Sequence, residues 1–138
     1  MREIKYITLH CTGAPANQST DEIKRFWKRV NGWKDPGYHF LINPDGSFDV
    51  LQPIEKPTNG VKGYNATAVH ICYKGGANGL DTRTDKQKET MEMLVRQMHV
   101  KFPKAEIKGH RDFLQKGKPG WKDCPSFEVK EWLKEIKL

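Results

Sequence analysis

The sequence predicts an α/β fold: a single domain with a mixed central β-sheet flanked by about three helices. Two patterns and one length point to it. Short runs rich in β-branched and aromatic residues alternate with longer runs whose apolar residues recur at i, i+3, i+4 and i+7. Their order, β-α-β-β-β-α-β-α, suits a sheet with helices packed on its faces. The length of 138 residues is that of one domain, so the expected boundaries are residues 1–138.

Residues 3–9, with Ile4, Tyr6, Ile7 and Thr8, read as the first strand. Strand parity puts Tyr6, Thr8 and His10 on one face and Ile7, Leu9 and Cys11 on the other. Ile23, Phe26, Trp27 and Val30 then mark one face of a helix, with Ser19 and Glu22 as its capping box and Gly32 at its exit. Residues 38–42 and 48–51 flank the turn Asn43-Pro44-Asp45-Gly46 and predict a hairpin. A Pro- and Gly-containing loop leads to a strand over Ala68–Tyr73, closed by Gly75-Gly76. Thr84 with Gln87 caps a second helix whose face is Met91, Leu94, Val95, Met98 and Phe102, with Pro103 just past its end. Glu106–Gly109 is a short strand, residues 111–125 a long loop, and Val129, Trp132, Leu133 and Ile136 the face of a last helix.

Composition narrows the function classes. Hydrophobic residues make up 36% and charged residues 30%, enough for one core, and no apolar run approaches the roughly 18 residues of a membrane span. No apolar signal core is visible at the N-terminus, so the chain is expected to stay in the cytoplasm until it is released to its target or exported by another route. The net charge of +7 suits an anionic partner such as nucleic acid, a membrane surface or a wall polymer, and equally suits plain solubility. Three cysteines at wide spacing, Cys11, Cys72 and Cys124, make a poor disulfide framework.

His10 and His110 each end a predicted strand, and Cys124 follows His110 in the context Asp123-Cys124-Pro125-Ser126. Two imidazoles and a thiolate suit zinc, and three protein ligands leave a fourth position for water. The spacing alone leaves a plainer reading open, in which two surface histidines and a small buried thiol do nothing of the kind.

Three segments resemble the zinc-dependent N-acetylmuramoyl-L-alanine amidases of the bacteriophage-lysozyme and peptidoglycan-recognition type. They are Tyr6-Ile7-Thr8-Leu9-His10-Cys11-Thr12, Gly37-Tyr38-His39-Phe40-Leu41-Ile42, and Gly109-His110-Arg111-Asp112 followed by Lys122-Asp123-Cys124-Pro125-Ser126-Phe127. A weaker match runs from Val61-Lys62-Gly63-Tyr64-Asn65 to Ala68-Val69-His70-Ile71-Cys72. The resemblance covers residues 4 to about 135. It implies Zn(2+) bound by His10, His110 and Cys124, an active-site tyrosine at Tyr38, and a catalytic lysine at Lys122 as in the phage enzymes. It also implies a substrate, the amide between N-acetylmuramic acid and L-alanine in peptidoglycan, and a phage-type lysis role. A monomer is expected. Two positions depart from the family: Gly60 stands where members often carry a histidine, and His70 where they often carry glycine.

The groups suggest how such a site works. Zinc activates water, while Lys122 holds charge developing on the carbonyl oxygen and Tyr38 offers a phenolic O–H. Read singly, Lys122 is one more lysine of a lysine-rich loop and Tyr38 a half-buried strand residue. His39 has the parity opposite to Tyr38 and is expected to point away from the site. His99 falls at the surface or core edge, and Cys11 and Cys72 read as core thiols. Arg111 and Asp112 are either an ion pair orienting His110 or a plain turn pair. The competing functions are a non-catalytic peptidoglycan-binding module, which Cys124 argues against, and a basic nucleic-acid-binding domain, which the apolar central strands argue against.

Overall fold

The computed structural model describes residues 1–138. Five strands form one mixed sheet: β1 (Tyr6–Cys11), β2 (Phe40–Ile42), β3 (Phe48–Val50), β4 (Ala68–Tyr73) and β5 (Glu106–Gly109), in the spatial order β3-β2-β4-β1-β5. All neighbours are parallel except the β2–β3 hairpin. Three helices, α1 (Thr20–Arg29), α2 (Asp85–Lys101) and α3 (Val129–Glu135), complete the predicted order.

The register sorts side chains between the two faces. Tyr6 pairs with Ala68, Thr8 with His70 and His10 with Cys72, so these share one face. Ile7, Leu9 and Cys11 look the other way with Val69, Ile71 and Tyr73. That second face holds the main core, where α2 contributes Met91, Leu94, Val95 and Met98, and α3 contributes Val129 and Trp132. Full burial of such a side chain contributes roughly 1.5–3 kcal/mol. Gln87 explains why α2 starts where it does. It forms both halves of a capping box with Thr84, and its Nε2 donates to the carbonyls of Ile42 and Lys74, tying the helix to β2 and β4.

The first face is covered only in part. There α1 buries Ile23 and Trp27 against Leu41 and Cys72. Phe26 and Val30, expected on the same apolar face, are 53% and 66% exposed, because α1 lies over half a sheet and its outer apolar residues overhang solvent. The Ser19 hydroxyl accepts the Glu22 amide at 3.1 Å, one half of the expected box. The loop that carries Gly60 covers much of the rest, lying over His70, and a cleft opens at the end of β1.

Two strand boundaries shift with consequences for the site. β1 continues to Cys11 because its parallel pairing with β4 runs on to Tyr73, so His10 and Cys11 are held by the sheet and not by the following loop. β2 begins only at Phe40, so Tyr38 lies outside the pleat and strand parity does not govern it.

Candidate active site

Parallel strands carry their sites at their C-terminal ends, where the loops diverge. Here β1 delivers His10, the end of β5 delivers His110, and the segment 122–126 brings Lys122 and Cys124 across both. The donor atoms of His10, His110 and Cys124 all lie within 4.8 Å of one another. His10 is 1% exposed, its ring centroid is 5.0 Å from that of His110, and its Nδ1 is 3.7 Å from the Cys124 Sγ. A tetrahedral zinc with bonds of about 2.0–2.3 Å separates its nitrogen and sulfur ligands by roughly 3.5 Å, so this donor set fits the ion.

Several contacts hold the cysteine there. The Arg111 amide donates to the Cys124 carbonyl at 2.8 Å, and the Tyr73 hydroxyl donates to the Pro125 carbonyl at 2.7 Å. Gly109 lets the segment come close: a Cβ there would lie 2.7 Å from Cδ of Pro125. The Cys11 amide donates to the Cys124 Sγ at 3.2 Å. That bond favours the thiolate, whereas burial pushes the Cys124 thiol well up from its ordinary value.

Tyr38, His110, Lys122 and Cys124 line one cleft of about 410 Å³, with Trp27 and Gly60 also on its wall. Tyr38 stacks at a tilt on His10, centroids 5.0 Å apart, and edge-on to Trp27 at 5.5 Å. Burial raises its phenol well above the usual range, so it keeps its proton. Lys122 is exposed on the rim. Burial lowers His110 to about 4, and the Lys122 charge adds to the shift. Burial also lowers His10 strongly, with His70 and His110 as further causes. The His10 and His110 imidazoles are therefore neutral and able to coordinate a cation at neutral pH.

A family model described as N-acetylmuramoyl-L-alanine amidase matches residues 1–127. The chain belongs to this amidase family. Among its relatives are the endolysin of Enterobacteria phage K11, 32% identical over 99% of this chain and 90% of that protein, and the endolysin of Klebsiella phage KP32, 31% identical with the same coverage. Among solved structures, the N-acetylmuramoyl-L-alanine amidase LysC from Clostridium intestinale superposes with a TM-score of 0.84 at 26% identity, covering 99% of this chain and 87% of that one.

Other side chains of the amidase take places that residue type alone did not settle. Arg111 and Asp112 are not paired with each other. The Asp112 carboxylate accepts the Gly109 amide at 2.8 Å, and the Arg111 guanidinium reaches Glu128 at 3.3 Å, so each fastens a different part of the turn that bears His110. His39 does not touch His10, His110 or Cys124, but neither does it leave the neighbourhood. Its ring stacks on that of His70 at 5.9 Å, its Nδ1 accepts the His70 amide, and its Nε2 lies 2.7 Å from the Lys56 carbonyl. Cys72 is fully buried under α1. Cys11 is buried too, with its thiol 3.6 Å from the Ser126 hydroxyl, and both its backbone amide and its thiol engage Cys124, a contact that brings the Cys11 thiol down to about 7. His99 is partly buried on α2, away from the cleft.

Three residues around the His10, His110 and Cys124 cluster carried no clear sequence signal for their places: His70, Asn65 and Gly60. His70 Nδ1 is 2.8 Å from His10 Nε2, and His70 Nε2 is 2.9 Å from Asn65 Oδ1. Gly60 lies directly over the His70 ring. The two family departures, ten residues apart in the chain, are thus one feature in space.

Proposed function

We propose that His10, His110 and Cys124 hold one zinc ion, that Tyr38 and Lys122 complete the centre, and that this centre hydrolyses the amide between N-acetylmuramic acid and L-alanine in peptidoglycan. The observation that carries the reading is the convergence of Tyr38, His110, Lys122 and Cys124 on one cleft with His10 buried beside Tyr38, and three donor atoms within 4.8 Å of one another. When bound, zinc supplies a Lewis acid and a water acidified to a pKa of about 7. The chain's own groups do the rest. Lys122, on the rim beside the ligands, holds the negative charge that grows on the scissile carbonyl oxygen. Tyr38 is kept protonated by burial beside Cys72, so its phenolic O–H is the group we assign to donate to the bound substrate. His10 and His110 stay neutral and hold their lone pairs for coordination.

One amidase domain spans residues 1–138 and acts as a monomer. The net charge of +7 favours the anionic wall polymer, and a groove bearing Lys24, Arg25, Lys28 and Lys34 beside Trp33 extends that attraction along α1. No helix is long and apolar enough to cross a membrane. A role in lysis, with the enzyme held in the cytoplasm until release to the wall, is the setting we assign.

The test is the release of free stem peptides from purified sacculi, with metal content measured in parallel. Parent protein is expected to carry about one zinc per chain, to lose activity with a strong chelator and to regain it with zinc. Full activity in metal-free protein would overturn the reading. A binding-only module predicts retention on sacculi with no peptide released at any metal loading.

A further inference from the structure

Gly60 and His70 meet so closely that neither can be understood alone. A Cβ at position 60 would lie 2.4 Å from Cγ and Nδ1 of His70 and 2.5 Å from its Cε1. The φ of Gly60 is outside the left-handed region, so glycine is needed here for space and not for backbone conformation. The imidazole that takes this space is fully buried, and both of its nitrogens are engaged.

The protons in this chain of contacts can be placed one by one. The Val61 amide can only donate, and it donates to Asn65 Oδ1 at 2.8 Å, which fixes that atom as an acceptor. His70 Nε2, 2.9 Å from the same oxygen, must then carry a hydrogen. A neutral imidazole protonated on Nε2 has its lone pair on Nδ1, so His70 Nδ1 accepts from His10 Nε2 across 2.8 Å. His10 therefore keeps its own lone pair on Nδ1, the atom that faces Cys124 at 3.7 Å.

We propose that His70 is a positioning residue that locks His10 into the tautomer able to ligate metal through Nδ1, and that Gly60 is the vacancy that admits it. The inference rests on the metal reading of His10 and adds its orienting partner. A ligating histidine commonly gives its outer N–H to a carboxylate, a backbone carbonyl or water. Here a second imidazole takes that part, and Asn65 and the Val61 amide orient it in turn.

The experiment combines two readouts that do not depend on turnover. Long-range 1H–15N spectra of metal-free parent protein at neutral pH should show both His10 and His70 protonated on Nε2. Zinc affinity, measured by chelator competition, should fall roughly 10–100-fold in His70→Phe, which keeps a ring but no nitrogen. Gly60→Ala, which touches no ligand, should weaken zinc in the same direction by displacing the His70 ring. His70→Asn, which keeps an acceptor at the Nδ1 position, should bind zinc more tightly than His70→Phe. Far-UV circular dichroism and metal-free melting confirm folding. A parent chain that takes up no zinc overturns the metal reading and this inference with it. A parent that binds zinc, together with His70→Phe binding equally well, His70→Asn no better than His70→Phe, or His10 protonated on Nδ1, overturns this inference alone.

Discussion

The amide of Cys11 donates to the sulfur of Cys124 at 3.2 Å, across 113 positions of sequence. The main chain of the central strand thus supports a sulfur delivered by a distant loop, and the roles divide: Cys11 supports with its amide and its neighbouring thiol, while Cys124 presents its sulfur to His10.

That division predicts how cysteine variants differ. Cys124→Ser is expected to weaken zinc more than about 100-fold, beyond the range of changes around a ligand. Cys11→Ser keeps the amide donor and leaves a hydroxyl where the thiol met Cys124, and Cys72→Ser leaves a hydroxyl where the thiol met Tyr38, so both should retain zinc. Equal loss in all three, measured by metal analysis after dialysis, would contradict the assignment.

Lys122→Ala and Tyr38→Phe separate catalysis from metal binding. Each should keep its zinc and its melting temperature. Each should lose turnover on sacculi by about a hundredfold, roughly 3 kcal/mol, with substrate affinity little changed. Turnover equal to the parent's in both would remove these residues from the mechanism.

Gly109→Ala tests the fastening of the cysteine loop. The added methyl would meet Cδ of Pro125 at 2.7 Å and Cγ2 of Val129 at 3.0 Å. Overpacking of this kind destabilises by about 1–3 kcal/mol. The loop that carries Cys124 should shift with it, so a lower melting temperature and weaker zinc are expected together. A denaturant midpoint equal to the parent's would show that the contact yields freely.

The buried histidines make metal-free stability depend on pH. Burial lowers His39 to about 4, His70 to about 3 and His110 to about 4, against 6.5 in an unfolded chain. Between those values the unfolded chain binds protons that the folded chain does not. Stability is therefore full above pH 6.5 and falls as the pH drops toward 4. The denaturation midpoint of chelated protein should decline between pH 7 and 5, while a level midpoint would contradict the burial.

The clustering of His10, His110 and Cys124 was legible because it rests on residue types at strand ends and on one dense segment, Lys122 to Phe127, whose spacing survives folding. The α2 cap was legible because capping is local chemistry, whereas the strand order β3-β2-β4-β1-β5 rests on pairings between distant segments that no local pattern states. The parity argument for His39 failed because β2 starts two residues later than the β-formers suggest, which leaves His39 beside His70 and not simply turned away. The roles of Arg111 and Asp112 were ambiguous because their partners, Glu128 and the Gly109 amide, are set by how the loop folds back. Gly60 and His70 read as two unrelated departures because no periodicity links a loop glycine to a strand histidine. Only the stacking of that loop over β4 makes one the room for the other.

The sheet order has a consequence for how the molecule comes into being. β1, made first, sits between β4 and β5, so both of its edges stay bare until residues 68–73 and then 106–109 have been synthesised. Such long-range pairing folds slowly, and synthesis runs at about 5–20 residues per second. His10 waits through nearly the whole of translation for His110 and Cys124, so the emerging chain carries no complete centre until its last segment arrives. A half-made chain therefore cannot bring His10, His110 and Cys124 together.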